Sequence, residues 1–287
     1  MMKFRIIGES PQIRRVIEMV EGVSHSNIPV LITGEIGSGK ELVARNIHCN
    51  GVHSRKPFFA IHCASIPGKF LDSIFEHNGT VFLDEIADLD PLLQSKLLRM
   101  LQEREFEPDG DDNKKNFDFR LISTTSHDLK KEIHAGKFRE DLLDMINVVQ
   151  IDVPPLRSRR EDIPLLARHF LKLICAREKK ILTISDEVME IFMHHSWPGN
   201  MRHLKNVIER AVVLAKGDTI TMKELPEELT AIPVQAEPHH KMTLKDLEIQ
   251  AIKDTLKSCR GNKTKAASML GISRKALYKR LEEYKLM

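Results

Sequence analysis

PVLITGEIGSGKELVARNIH, residues 29–48, is the stretch on which the fold turns. PVLIT is an apolar, β-prone run, ELVARNIH reads as a helix, and between them Gly34 to Glu41 fits the pattern G-x-x-x-x-G-K. In such a strand–loop–helix the glycines let backbone N–H groups wrap phosphates, Lys40 supplies a point charge, and the helix N-terminus faces the anion. The candidate phosphate cradle is therefore Gly34, Glu35, Ile36, Gly37, Ser38, Gly39, Lys40 and Glu41. A tight turn can use the same letters; the buried strand before the loop and the helix after it carry the reading.

Working outward, further β-prone runs occur at PFFAIH (57–62), GTVFLDE (79–85), FRLISTT (119–125) and NVVQIDV (147–153), alternating with helix-period segments. That alternation predicts βαβ units and a parallel sheet, an α/β fold. After Pro154-Pro155 the strands stop, and helical stretches follow at Glu161 to Glu178, Ser185 to His194 and Met201 to Ala215. Thr230 to Lys241, with Pro233 and Pro238 and no periodicity, reads as a linker. The expected division is an α/β nucleotide-binding unit at 1–156, an all-α subdomain at 157–229, a linker at 230–241 and a last helical unit at 242–287.

The 287 residues, 41% hydrophobic and 30% charged, describe a globular chain of two or three domains and exclude disorder and collagen. No apolar run approaches a membrane span and the start, MMKFRIIGES, lacks a secretory signal, so the expected place is the cytoplasm. Four cysteines at 49, 63, 175 and 259 form no CxxC pair, which suits a reducing compartment. The histidine pairs at 194–195 and 239–240 lack a third ligand at metal spacing and read as surface or packing residues. Net charge is +3, yet residues 242–287 hold 11 Lys plus Arg against 5 Asp plus Glu, so the tail carries +6 and the rest −3. A nucleic-acid-binding tail and a solvated helical surface both give that asymmetry.

In TVFLDE, apolar residues drive a strand through the core and leave Asp84 and Glu85 at its carboxyl end, the edge where open α/β sheets bind ligands. There Asp84 would hold Mg²⁺ and Glu85 would polarise an attacking water. Position 41, usually Ser or Thr after the loop lysine, is Glu, so the metal would lean on Asp84.

These segments, together with LLQSKLLRMLQE, FREDL, PPLRSRREDIPLLA, SWPGNMRHLKNVIERAV and GNKTKAASMLGISRKALYKRLEEY, resemble in order the NtrC-type AAA+ family of bacterial enhancer-binding transcription activators. The resemblance runs from Ile7-Gly8 to Leu286, and Glu41 after the lysine is itself a family mark. It implies an ATPase core that assembles into rings, an α-helical lid over 157–229, and a Fis-type helix-turn-helix that binds double-stranded DNA as a dimer. It places ATP against Ile7, Gly8, the loop and Arg202, the last resembling a sensor arginine.

The sequence also departs from that pattern. The family presses a loop with the motif GAFTGA against the sigma-54 subunit of RNA polymerase; here FLDSIFEH runs almost directly into NGTVFLDE, without the helix-loop-helix that carries it. The family's Asn before Cys-Ala is His62, and its sensor Asn is Ser126. Of two arginines expected in and after FREDL, Arg139 remains and the second, resembling an arginine finger, is Met145. Loss of a finger costs roughly 10³ to 10⁵ in rate. The reading is a site that binds ATP and Mg²⁺ but is poorly equipped for hydrolysis, with Glu85 and Arg139 as the catalytic candidates; the alternative is that Met145 is a core residue and Arg139 serves as the finger.

In the tail, Leu244, Leu247, Ala251, Ile252 and Leu256 recur at helical spacing, suited to a dimer seam or to the tail's own core. Thr264 to Leu270, a turn at Gly271, and a second helix from Arg274 to Tyr284 capped by Ser273 then form the helix-turn-helix. Arg274 is the candidate base contact, with Ser273 and Tyr278 beside it; Lys263, Lys265, Lys275, Lys279 and Arg280 are candidates for phosphates.

The expected function is a DNA-binding transcription regulator in which ATP or ADP stabilises an assembly, acting on RNA polymerase or another regulator. With no receiver segment ahead of Ile7, the signal is expected from a partner, the nucleotide or protein abundance. The alternatives are an active ATPase that remodels a different protein, and an inhibitory subunit in a paralogue's ring.

Overall fold

The computed structural model describes residues 6–66, 78–103, 105–106, 115–116, 119–230, isolated positions from 249 to 259, and 262–284. The linker at 231–241, the tail residues Leu244, Leu247 and Ala251, and residues 67–77, which include the FLDSIFEH segment, lie outside them. The chain folds as two units, Met1–Thr230 and Ala231–Met287.

Five parallel strands form the core of the first unit: β1 (Val30–Thr33), β2 (Phe58–His62), β3 (Gly79–Asp84), β4 (Phe119–Thr125) and β5 (Val149–Asp152), in the order β2-β3-β4-β1-β5. The expected α/β parallel sheet is thus present, and each of its five strands falls within a run read from the sequence; strands do not stop after Pro154-Pro155 as expected, because in the lid Thr183–Ile184 pairs in parallel with Thr219–Ile220, runs too short to stand out in the sequence. Because side chains alternate across a strand, β1 sends Val30 and Ile32 to one face and Leu31 to the other. The first face packs on α1 (Pro11–Ser24) and α2 (Lys40–Cys49), and the second on α3 (Pro91–Glu103) and α5 (Glu140–Ile146); α4 (Leu129–His134) follows β4. A two-stranded hairpin, Glu105–Phe106 with Lys115–Asn116, follows α3.

Arg120 is a charged residue inside this layer. It points from β4 into the core at 0% exposure, and its guanidinium donates to the carbonyls of Ser24 (2.7 Å) and Val23 (2.6 Å). Those carbonyls lie in the last turn of α1, where Val23 also accepts from the Ser26 amide and hydroxyl, so the buried fork completes the capping of the helix C-terminus. Burial lowers the Arg120 pKa to about 10.

The lid has its own apolar cluster, built on α6 (Ile163–Glu178), α7 (Asp186–His194) and α8 (Asn200–Leu214). Ser185 caps α7 by accepting from the Val188 amide, and Trp197, fully buried, donates its indole N–H to the Phe192 carbonyl at 2.7 Å. His195 lies against Trp197 with ring centroids 4.7 Å apart, a packing role.

The second unit closes around Ile252, Cys259, Ala266, Ala267, Leu277 and Leu281. Its described helices are α9 (Lys263–Met269) and α10 (Arg274–Glu283), joined through Gly271 at φ +66°. Among the described residues no helix is long and apolar enough to cross a membrane.

Candidate nucleotide-binding site

The carboxyl edge of the sheet meets the lid at two adjoining cavities. One, of about 710 Å³, is lined on its apolar side by Ile7, Val43, Val153, Leu166 and Phe170, with Gly8, Ser38 and Gly39 at its rim. The other, of about 670 Å³, gathers Ile36, Gly37, Lys40, Glu41, Asp84, Glu85 and Arg202. Gly39, Leu42, Phe170 and Met201 line both, so the two are halves of one cleft, apolar at one end and charged at the other.

The loop between β1 and α2 is shaped for an anion. Gly37 (φ +76°) lies against the Gly199 carbonyl and Gly39 (φ +105°) against the Met201 methyl; a Cβ at either would collide. Gly39 caps α2 without a side-chain bond, leaving first-turn amides available. The Ser38 hydroxyl is buried without a partner among the described residues. Orphan donors in a glycine cradle fit a phosphate chain.

Lys40, 6% exposed, donates to the Gly34 carbonyl at 2.9 Å and pairs with Glu85 Oε1 at 2.9 Å. The other Glu85 oxygen, Oε2, accepts from the Ser126 amide (2.6 Å) and hydroxyl (2.9 Å). Glu85 occupies the left-handed region (φ 54°, ψ 63°), unusual for a residue with a side chain. Burial pushes its carboxyl up, but the bonds from Lys40 and Ser126 outweigh it and hold the group below the usual range. Asp84 Oδ1 accepts from the Thr124 hydroxyl at 2.7 Å, while Oδ2 faces His62 Nδ1 at 3.4 Å.

Lid and loop are joined by polar contacts. Asn200, fully buried at φ 52°, accepts from the Leu156 amide (2.7 Å) and donates to the Ile36 carbonyl (3.0 Å) and the Glu35 carboxylate (3.1 Å). Arg157 donates to Glu35 Oε2 at 2.7 Å, and this bond, followed by that from Asn200, lowers the Glu35 pKa to about 2. At the apolar end, Asp162 accepts from the Glu9 and Ser10 amides and the Ser10 hydroxyl, at 2.7, 2.9 and 2.6 Å, fixing the segment that carries Ile7 and Gly8. Buried Arg159 donates to the Ser38 carbonyl at 3.0 Å.

Most of the expected cofactor residues therefore meet at one cleft. The Glu35 side chain instead points to Arg157 and Asn200, and Gly34 packs on the Val153 carbonyl; neither lines the cavities. Arg139 lies elsewhere, paired with Asp141 (Nη2 to Oδ2, 2.6 Å) beside a separate depression. Met145 is half-buried against the core face of the sheet. Arg159, Asp162 and Asn200 were missed by sequence reasoning; only the charge density of RSRRED and the helix-start position of Asn200 hint at them, because their partners are more than forty residues away. His62, noted only as a departure, lines the charged half.

The sequence pattern described as Sigma-54 interaction domain matches residues 7–156, followed by the AAA+ ATPase lid domain at 157–242 and the Fis family of bacterial regulatory proteins at 243–284. The chain belongs to the sigma-54 interaction domain family. Members similar to it include the transcriptional regulatory protein ZraR of Klebsiella oxytoca, 42% identical over 97% of this chain and 69% of that protein, and the regulatory protein AtoC of Escherichia coli K12, 40% identical over 97% and 67%. The alignment with ZraR runs over 304 positions, whereas 97% of 287 residues is about 278, so about 26 positions have no counterpart in this chain. Crystal structures of Brucella abortus NtrX in complex with ADP and with ATP are similar at TM-scores of 0.73 and 0.74, 32% identity, and 98% coverage of this chain and 69% of NtrX. This member of the sigma-54 interaction domain family is thus a DNA-binding transcription regulator with a P-loop nucleotide domain.

In the tail the Ser273 hydroxyl accepts from the Ala276 amide at 3.1 Å and caps α10. Ser273, Arg274, Lys275, Tyr278 and Lys279 are exposed along α10, with Arg280 half-buried; Lys265 is exposed on α9, and Lys263 lies over the Tyr278 ring at 5.0 Å from its centroid. Ala266, Ala267, Leu277 and Leu281 form the interior.

Proposed function

We propose that this regulator binds ATP with Mg²⁺ in the cleft as an assembly ligand and does not couple hydrolysis to remodelling of sigma-54 polymerase. The observation that carries the proposal is the state of Glu85: the Ser126 amide and hydroxyl both hold Oε2, a grip that a phosphate drawing Lys40 away from Oε1 would leave in place, so the carboxylate stays tied to the end of β4. An adenine would take the apolar half beside Ile7 and Gly8, and the triphosphate the loop, Lys40 and Arg202. Asp84 would hold the metal. Arg139, the catalytic candidate that lies outside the cleft, would reach a nucleotide only from a neighbouring subunit. Met145 where an arginine finger is expected, and the roughly 26 positions absent relative to ZraR, a length suited to a helix-loop-helix, support the same reading. In the cytoplasm the protein would hold double-stranded DNA through α10, with Arg274 on base edges and the lysines on phosphates.

The test is ATP binding and phosphate release measured on one purified sample across protein concentrations, with Lys40→Ala as the control. Binding without release above the control is expected. Turnover that rises as the protein assembles would overturn the proposal and mark a working ATPase.

A further inference from the structure

Two facts about the metal edge of the cleft point beyond magnesium. The hydroxyl that a Ser or Thr would offer after Lys40 is replaced by Glu41, whose Oε1 is already taken by Arg45 at 2.8 and 2.7 Å. One protein ligand expected of a nucleotide-bound cation is therefore missing. In register with Asp84 on the neighbouring strand stands His62, whose Nδ1 lies 3.4 Å from Asp84 Oδ2.

That separation is too long for a charge-assisted hydrogen bond, which runs at about 2.7–2.9 Å. It fits a shared cation: two ligands about 2.1 Å from one metal, at angles of about 90–110°, lie about 3.0–3.4 Å apart. The Asp84 oxygen involved is the one Thr124 leaves unbonded, and both side chains are open to solvent, at 53% for His62 and 38% for Asp84. Among the described residues no three His, Cys, Asp or Glu could hold a metal by themselves, so a cation here would fill the rest of its shell with phosphate oxygens of the nucleotide and water.

We infer that His62 and Asp84 together ligate the cation of the bound nucleotide, and that the imidazole makes this site favour a transition cation over magnesium. Magnesium takes oxygen ligands and gives up water reluctantly, whereas affinity for nitrogen-containing sites rises from Mn²⁺ through Co²⁺. The inference rests on the nucleotide reading of the cleft and specifies its metal.

The experiment titrates a fluorescent ATP analogue into the purified full chain in Mg²⁺, Mn²⁺ or Co²⁺, for the parent and for His62→Asn, which restores the amide the family carries. Electron spin-echo spectroscopy of the Mn²⁺–nucleotide complex reads nitrogen ligation directly. The parent is expected to bind the analogue about tenfold tighter with Mn²⁺ or Co²⁺ than with Mg²⁺. His62→Asn should lose that preference and the histidine nitrogen signal, and an unchanged thermal unfolding midpoint shows that the variant folds. Equal affinity in all three cations, or a preference that survives His62→Asn, overturns the metal assignment and leaves the nucleotide reading intact. No binding by the parent with any cation overturns both.

Discussion

Lys40 Nζ sits 2.9 Å from Glu85 Oε1, with both groups largely withdrawn from solvent. The loop lysine and the acidic residue that follows β3 neutralise one another, and Ser126 holds the far side of the carboxylate. A triphosphate entering the loop must compete with Glu85 for Lys40. Lys40→Ala therefore removes both the phosphate's point charge and the partner of Glu85. ATP affinity should fall by more than about tenfold, the range of losing a charged hydrogen bond of roughly 1.5–3 kcal/mol; isothermal titration checks it.

An arginine placed where the family resemblance expects a finger should reveal whether that position limits hydrolysis. Met145→Arg is expected to raise phosphate release by about tenfold or more, in proportion to self-association, because a finger acts on charge developing in the transition state. Release that does not change with the substitution at any protein concentration would assign the block to Glu85.

Asn200 makes three bonds from a fully buried position in a left-handed conformation. Asn200→Ala strands the Leu156 amide and keeps the strained backbone, so a loss of about 2–4 kcal/mol is expected in denaturant unfolding. Asn200→Gly relieves the strain and should cost less than Ala.

The Glu35–Arg157 contact should make the lid junction sensitive to acid. The folded-state pKa of Glu35 is depressed from 4.5 to about 2, so its contribution is full above 4.5 and lost as pH falls toward 2. Both groups are exposed, so solvent screening keeps the effect small. Protection factors of the amides around Ile36 and Asn200, with the intrinsic pH dependence of exchange divided out, should fall over that window, and Arg157→Ala should shrink that fall because it removes the main cause of the depressed pKa.

In the tail, two residues on the exposed surface should separate specificity from affinity. Arg274→Ala is expected to lose about 1–3 kcal/mol of discrimination between operator and random DNA, and Lys265→Ala to weaken both while lowering the salt slope by about 1. Fluorescence anisotropy at several salt concentrations measures both.

The strands, the phosphate loop, the lid helices and the helix-turn-helix core were legible because each is written in local periodicity and turn residues: PVLIT before Gly34, Ser185 before α7, Gly271 between α9 and α10. Asp84 and Glu85 were placed by the same rule, since an apolar run must end at a sheet edge. Tertiary structure alone decided what those residues do to one another. Nothing in the spacing tells that Ser126 grips Glu85, that Asp162 fixes Ser10 from 152 residues away, or that His62 lies in register with Asp84. Nor does it tell that Arg139 lies away from the cleft or that Arg120 closes a helix inside the core. Secondary structure is fixed by neighbours within a turn or a strand, whereas hydrogen bonds and ion pairs act over about 3 Å between residues that only the packed sheet and lid bring together.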